Sequence, residues 1–374
     1  MANTALEPET LISRLSHRPS DIFRAMIPST CPPNPPDVQL ADRVSSLGIL
    51  DRLPPELMSI LLCMLDIQSV FNVARVSFQG SMFVKSQHAY RDLVTVAPQL
   101  LWALARVGLL GLHSVAELHT ALRTERCVTC IEYGAFLFLP TCERCCWECL
   151  RNNPSLRVIS PKEAKKYFGL SYRHLQRLPT LHVIPGNYGI ATDPSPRHCR
   201  LVSVKAARDL GLTVQGSTEK LAQVMAKRCG TRRHLIMGRY LQGEPAVPKG
   251  QDLLLLPSQG NIPIDNFFGM ASIPLPSLST SHQIEDGLWC LGCETTRRRY
   301  DTLYLPQYVL RAIVPLNCEP QRVLLGLERR ARSKETFLEP IRHCYGAQQY
   351  VSESRPDLLT SNNFSTKVRR PVQR

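Results

Sequence analysis

The sequence of 374 residues contains no apolar run long enough to cross a lipid bilayer. A spanning helix needs about 18 or more consecutive apolar residues, and the longest candidate, residues 100–112, is interrupted by Arg106. The first ten residues contain neither a basic region nor an apolar region, so they do not have the pattern of a secretory signal. We therefore expect an intracellular protein, in the cytoplasm or the nucleus, with no membrane partner.

Short catalytic motifs are also missing. The sequence has no glycine-rich phosphate loop, no G-x-S-x-G, no H-E-x-x-H and no segment of paired carboxylates. His198 and Cys199 are adjacent, but neighbours in a strand point to opposite faces and do not form a nucleophile–base pair. We therefore predict that the chain is not an enzyme.

The composition is that of an ordinary globular protein, with 44% hydrophobic and 20% charged residues. The net charge of +14 could favour nucleic acid, but the basic clusters at 297–299, 329–334 and 369–370 are far apart in sequence. They do not alternate with aromatic residues, as a stacking platform for bases would. We interpret them as solvated basic surface and regard nucleic acid as an unlikely partner; a zinc-containing nucleic-acid-binding or regulatory protein is the alternative.

Fourteen cysteines include four C-x-x-C pairs, and without a secretory signal we expect reduced thiols or metal ligands. The pairs Cys127/Cys130 and Cys146/Cys149 are separated by 15 residues, a spacing typical of a structural zinc site. Zn²⁺ in such sites is held by four ligands in a tetrahedron. We prefer this quartet because it leaves the longer return loop, and the pair Cys142/Cys145 is the alternative to Cys146/Cys149.

The fourth pair, Cys290/Cys293, has no local partner and must find further ligands through folding. We predict a second zinc site in which Cys344 approaches this pair, at an exposed turn between Trp289 and the arginines at 297–299. His343 is an open candidate, because neighbours on a helix point about 100° apart. Cys142 and Cys145 are the other open candidates.

Helix and strand signals predict an α+β fold. Ser114 and Glu117, then Ser160 and Glu163, have the spacing of capping boxes, and Ser333 is placed as an internal cap of a helical region over 319–350. Segments 180–184 and 201–204 have strand-like patterns. Five prolines between 28 and 36 favour extended chain, so we expect disorder over 1–45 and also in the polar, basic tail 351–374.

Residues 46–96 have a helical pattern. Pro54 and Pro55 fit the first turn of a helix, and the positions that follow form one apolar face, at 57, 60, 61, 64 and 65. Three motifs stand out, namely Leu53-Pro-Pro-Glu-Leu57, Ile60-Leu61 and Leu65-Asp-Ile67, followed by the late pair Arg75-Val76.

These motifs resemble an F-box, a small helical module that docks on the Skp adaptor of Skp–cullin–F-box ubiquitin ligases. The family often has a tryptophan after the late valine, at or near the position of Gly80 in this chain. The resemblance implies a set of adaptor-facing and core positions, namely Leu53, Pro54, Leu57, Ile60, Leu61 and Leu65.

The order of an F-box and the cysteine pairs, with Trp289-Cys-Leu-Gly-Cys293 and a terminal His343-Cys344, resembles a group of filamentous-fungal F-box proteins. The resemblance implies a substrate receptor, in which residues 46–96 bind the adaptor and cullin complex. A mostly helical, cysteine-rich domain over 97–350, with short strands and stabilised by zinc, would bind an unknown protein substrate. The predicted zinc ligands are Cys127, Cys130, Cys146, Cys149, Cys290, Cys293 and Cys344.

Overall fold

The computed structural model describes residues 7–28, 45–186, 188, 199–228, 252, 254 and 267–353. These residues are mostly helical and include short antiparallel strands, which confirms the predicted α+β class. No helix in these residues combines the length and the apolar character that a membrane span requires. Residues 354–374 of the predicted tail 351–374, like residues 1–6 and 29–44 of the predicted N-terminal segment, lie outside the described residues. Residues 351–353 end a helix, Tyr345–Glu353, so the expectation of disorder is wrong for them.

The helices are α1 (Pro8–Leu15), α2 (Ser20–Arg24), α3 (Pro55–Met64), α4 (Ile67–Val76), α5 (Phe78–Ser86), α6 (His88–Val96), α7 (Pro98–Val107), α8 (Val115–Arg123), α9 (Trp147–Asn152), α10 (Pro161–Phe168), α11 (Tyr172–Leu175), α12 (Val204–Gln215), α13 (Thr218–Arg228), α14 (Leu291–Asp301), α15 (Gln307–Ile313), α16 (Pro320–Glu328), α17 (Lys334–His343) and α18 (Tyr345–Glu353). The strands are β1 (Ser16–His17), β2 (Phe136–Phe138), β3 (Glu143–Cys145), β4 (Val158–Ile159), β5 (Thr180–His182), β6 (Arg200–Ser203), β7 (Ser272–Pro274), β8 (Ser277–Leu278), β9 (Ile284–Glu285) and β10 (Trp289–Cys290).

The first helix of residues 46–96 begins where its two prolines predict. Helix α3 starts at Pro55, and a 3-10 turn, Gly48–Arg52, precedes it. Asp66 caps α4 by accepting a hydrogen bond from the Ser69 amide, which satisfies one of the free N–H groups at the helix start. Met58 and Leu62 of α3 are buried in the main core.

Gly80 lies where α5 passes very close to α4. A Cβ atom at this position would be 2.5 Å from the carbonyl oxygen of Val73. Such an approach leaves no room for a side chain, so a large residue such as tryptophan could not occupy this position unless one of the helices moved.

One continuous hydrophobic core joins residues 46–96 to the cysteine-rich region. It includes Met58 of α3, Leu118 of α8, Phe136 of β2 and Trp289 of β10. Helix α8, which carries the predicted capping box of Ser114 and Glu117, packs against α3 and α6. The predicted boundary at residue 96 is therefore not a break in the core.

Two three-stranded antiparallel sheets organise the middle of the chain. Strand β2 lies between β3 and β7, and β6 lies between β4 and β5. The second sheet packs with α10, α12 and α13 around a separate cluster that includes Phe168 and Leu221. Ser160 and Glu163 form the predicted capping box of α10, and Gly169 ends this helix in the left-handed conformation, at φ 63°.

The expectation of disorder over 1–45 is wrong for residues 7–28. Leu15, Ile22 and Met26 are buried, and the Ile27 amide donates a hydrogen bond to the Ser272 carbonyl. Strand β1 pairs with β10, so the segment joins elements about 270 residues further along the chain. No local pattern indicates these contacts, because the apolar partners come from the other end of the sequence.

Helices α16, α17 and α18 follow one another at the C-terminal end of the described chain. Ser333 caps α17, and its hydroxyl accepts a hydrogen bond from the Thr336 amide, as the predicted internal cap requires. Cys344 separates α17 from α18. This short break between helices brings Cys344 back towards the start of α14.

Candidate metal centres

The structure brings together four buried cysteines, Cys127, Cys130, Cys146 and Cys149, whose sulfur atoms all lie within 4.8 Å of one another. We call them the first centre. The sulfurs of Cys130 and Cys146 are 3.6 Å apart. Tetrahedral metal–sulfur bonds of about 2.3 Å place ligand atoms at about 3.8 Å from one another, so the four thiols fit one metal ion.

Short elements position these four thiols. We call the turn that carries Cys127 and Cys130 the first knuckle, and the turn that carries Cys146 and Cys149 the second. The Cys127 amide donates a hydrogen bond to the Glu132 carbonyl, which closes the first knuckle. Cys146 follows β3 and caps α9, and its sulfur accepts a hydrogen bond from the Cys149 amide at 3.4 Å. The second knuckle is thus the start of a helix, and its two sulfurs face the first knuckle.

Cys142 and Cys145 do not belong to the first centre. Cys145 is opposite Phe136 in the β2–β3 ladder, and its thiol donates to the Phe136 carbonyl. Burial raises the pKa of Cys142 to about 12, which keeps this thiol protonated. The alternative quartet with Cys142 and Cys145 is therefore not the one that the fold assembles.

The thiols of the first centre interact strongly enough to favour a thiolate. Hydrogen bonds from Cys130, and then from Cys146 and Cys149, hold the pKa of Cys127 well below its usual range. The thiolate is the form of cysteine that binds a metal. The same hydrogen bonds raise the pKa of Cys146 and Cys149, so in the absence of a metal the cluster favours a single thiolate, at Cys127.

Arg144 is a structural residue beside the first centre that sequence reasoning missed. Its guanidinium is buried and donates to four backbone carbonyls, of Ala121, Gly134, Leu275 and Pro276. Its own carbonyl accepts from the Val128 amide in the first knuckle. The side chain thus ties α8 and the strands around β7 to the centre, and no local sequence signal reveals a role that depends on carbonyls from distant segments.

A second group, Cys290, Cys293 and Cys344, also has all its sulfur atoms within 4.8 Å of one another. We call it the second centre. The Cys344 sulfur is 4.0 Å from the sulfurs of both Cys290 and Cys293. Hydrogen bonds from Cys293 and Cys344 lower the pKa of Cys290 to about 3, so this group too favours a thiolate.

One expectation about the second centre is wrong, and one open candidate, His343, is not part of it. The pair Cys290/Cys293 is not at an exposed turn, because Trp289 and Cys290 are buried where β10 meets α14. His343 is exposed and is not part of the cluster. It precedes Cys344 at the end of α17, and neighbouring positions on a helix point in different directions.

The predicted adaptor-facing positions lie on two sides of α3. Leu53 and Leu65 are half-buried and pack against the main core. Pro54 is exposed at the helix start. The remaining positions, together with Met64, form an apolar face that is 44–70% exposed, namely Leu57, Ile60, Leu61 and Met64. We call this set the α3 face.

Comparisons of the chain with protein-family models, with curated proteins and with solved structures found no match.

Proposed function

We propose that this chain is the substrate receptor of a Skp–cullin–F-box ubiquitin ligase, with the α3 face as its adaptor-docking surface. The exposure of this face carries the proposal. Helix α3 buries Met58 and Leu62 in the core and leaves four large apolar side chains in solvent. A contiguous exposed apolar set of this kind is typical of a protein–protein contact.

The energetic gain from covering the α3 face is substantial. Each of its four side chains is about half exposed. Complete burial of a large aliphatic side chain contributes about 1.5–3 kcal/mol, so covering the exposed half contributes about 1 kcal/mol for each residue. An amphipathic helix docked in an apolar groove is a common recognition mode, and its anchors recur at i, i+3, i+4 and i+7. Leu57, Ile60, Leu61 and Met64 have this spacing.

The ion pairs of the basic clusters favour a protein partner over nucleic acid. Arg297 pairs with Glu328 and Asp301, and Arg298 pairs with Glu294. Arg330 is between Glu132 and Asp252, at 3.2 and 2.6 Å. Internal neutralisation reduces the positive potential that attracts phosphates.

The same proposal assigns zinc to both centres. Cys₄ and three-cysteine donor sets suit Zn²⁺, which prefers sulfur and nitrogen ligands in a tetrahedron. The first centre would hold the two knuckles together beside β2 and β3, and the second would hold α14 to the junction of α17 and α18. Zinc here would supply folding energy, and the ligase chemistry would belong to other subunits.

Adaptor binding is tested by co-purification of the full-length chain with a recombinant Skp adaptor. We expect Leu57→Asp to abolish co-purification, because docking would bury a carboxylate against apolar surface at a cost of several kcal/mol. The variant should stay folded, since Leu57 is already half exposed.

The matched control is Leu316→Asp, the same change at a leucine that is 98% exposed between α15 and α16. It should bind the adaptor like the wild type. Equal adaptor binding by Leu57→Asp and the wild type would refute the docking surface. Recovery of a cullin with the wild type alone would support the assignment to the ligase.

Metal content is tested by elemental analysis of tag-free protein. We expect two zinc ions per chain and a lower melting temperature after chelation, because binding energy at a structural site is folding energy. Cys127→Ser and Cys149→Ser should each lose one zinc ion. Cys199→Ser should lose none, since Cys199 lies outside both centres. Full stability of a metal-free wild type would contradict the assignment.

A further inference from the structure

The two segments that supply the second centre have matching sequences. Cys290-Leu-Gly-Cys293 and Cys344-Tyr-Gly-Ala347 each begin with cysteine and have glycine in third place, and they differ at the fourth position. We propose that Ala347 leaves the second centre a three-coordinate thiolate site, which exchanges its zinc for a soft monovalent ion, Cu(I). This inference rests on the zinc proposed for the second centre and names the ion that displaces it.

Both segments begin a helix. Cys290 is the N-cap of α14, and the Cys344 carbonyl accepts the first hydrogen bond of α18, from the Gln348 amide at 3.0 Å. Cys293 and Ala347 are therefore each the third residue of their helix. The side chains of an N-cap residue and of the third helical residue lie close together, as they do in a capping box. Ala347 thus stands where a fourth cysteine would complete the ligands.

Two glycines hold the starts of these helices against each other. A Cβ atom at Gly292 would overlap the backbone of Ala347, and one at Gly346 would overlap the Gly292 carbonyl. The buried hydroxyl of Thr296 bridges the same glycines, because it donates to the Gly292 carbonyl at 2.8 Å and accepts from the Gly346 amide at 3.1 Å. This contact fixes Ala347 beside the thiols.

The sulfur separations of the second centre suit three ligands. Metal–sulfur bonds of about 2.3 Å place ligand atoms about 4.0 Å apart in a trigonal plane and about 3.8 Å apart in a tetrahedron. The Cys344 sulfur is 4.0 Å from the sulfurs of both Cys290 and Cys293. In the part of the chain that the structure describes, no fourth cysteine, histidine or carboxylate donor is within 4.8 Å of all three sulfurs.

The surroundings of the thiols favour a soft ion. Leu15, Phe337, Ile341 and Ala347 are buried in one apolar cluster with Cys290. Thiolate ligands select soft ions such as Cu(I), whereas zinc bound by three thiolates keeps one position that they do not fill. The N-termini of α14 and α18 meet at the thiols, so their positive ends stabilise the negative charge that three thiolates retain around a monovalent ion.

The test is a titration of the full-length, zinc-loaded chain with Cu(I), supplied as its acetonitrile complex without oxygen. A coloured chelator measures the zinc released, and X-ray absorption at the copper edge counts the sulfur neighbours of copper. We expect the first equivalent of Cu(I) to bind with three sulfur neighbours and to release one of the two zinc ions. Cys344→Ser should lose this three-sulfur copper site, and Cys127→Ser, which changes the first centre alone, should keep it.

A variant that adds a ligand tests the place of Ala347. Ala347→Cys supplies a fourth thiol, so the second centre should hold its zinc more tightly and the first equivalent of Cu(I) should no longer release it selectively. Ala347→Ser is the matched control, because it has the same shape without a soft donor, and it should behave like the wild type. Equally selective zinc release from Ala347→Cys and the wild type would refute the role of Ala347.

The wild type alone decides the coordination number if Ala347→Cys folds poorly. Copper with two or four sulfur neighbours, or loss of both zinc ions together, would refute the three-coordinate site and leave the proposed zinc in place. A wild type that holds a single zinc ion but takes up copper at three sulfurs would refute zinc at the second centre and support its preference for Cu(I). A single zinc ion without such copper binding would refute both.

Discussion

Replacement of Arg144 by methionine tests how the first centre is supported. Arg144 is 3% exposed, and its guanidinium donates to four carbonyls that come from α8, the first knuckle region and the chain after β7. It forms no ion pair with a carboxylate in the described residues. Burial lowers the pKa of Arg144, while the charges of Tyr133, Cys145 and Glu125 raise it; the four carbonyls are the hydrogen-bond partners of the cation.

The expected loss follows from two opposing contributions. A hydrogen bond from a charged donor contributes about 1.5–3 kcal/mol, and four carbonyls would lose their partner. Removing an unpaired buried cation recovers several kcal/mol of desolvation. Methionine fills a similar volume without a donor, so we expect Arg144→Met to lower the free energy of unfolding by about 3–5 kcal/mol.

The assay is urea unfolding of the zinc-loaded protein, followed by the fluorescence of Trp147 and Trp289, which are both buried. Arg342→Met, at an exposed position of α17, is the matched control and should change the free energy of unfolding by less than about 0.5 kcal/mol. Arg144→Lys should lower the free energy of unfolding nearly as much as Arg144→Met, because a compact ammonium cannot reach the four carbonyls that the planar guanidinium reaches. A change below about 0.5 kcal/mol in Arg144→Met would refute the reasoning.

Two further predictions concern pH and packing. His113 is buried and donates from Nε2 to the Leu139 carbonyl at 2.6 Å, and burial lowers its pKa below the usual 6.5. The imidazole therefore takes up a proton at lower pH in the folded state than in the unfolded state. The stability that His113 contributes is complete above pH 6.5 and is lost as the pH falls below that value. Melting curves between pH 7.5 and 5.5 should show a smaller acid-induced decrease for His113→Gln than for the wild type, and equal decreases would count against this assignment. Gly80→Ala should cost about 1–3 kcal/mol of unfolding free energy, because its Cβ meets the Val73 carbonyl at 2.5 Å. Gly111→Ala, where the nearest neighbour of a Cβ is 3.9 Å away, should be tolerated, and equal melting temperatures of the two variants would contradict the close approach.

Local signals determined where many elements begin and end. Ser114, Ser160 and Ser333 cap the helices that the sequence places after them. Capping depends on a side chain and an amide three residues later, so the sequence itself contains both partners. The x15 spacing likewise indicated the four cysteines that meet at the first centre, because two knuckles need a return loop of that order.

Spacing alone could not decide between neighbouring cysteine pairs. Cys145 and Cys146 are adjacent, yet one thiol binds the Phe136 carbonyl and the other joins the first centre. The choice follows from the register of β3 against β2, since successive residues of a strand point to opposite faces. That register is a tertiary property, because all three residues of β2 are buried and the strand's own sequence therefore does not select a face.

The sequence by itself determined the helical pattern, the apolar set on α3 and the pairs that supply thiols. Only the tertiary structure decided that this set faces solvent and that segment 7–28 is folded, and it confirmed the predicted approach of Cys344 to Cys290 and Cys293. The contacts of Cys344 and of segment 7–28 join residues that are about 50 to 270 positions apart in the chain. Their contacts depend on long-range packing of apolar surface, which is non-directional and leaves no local signature in the sequence.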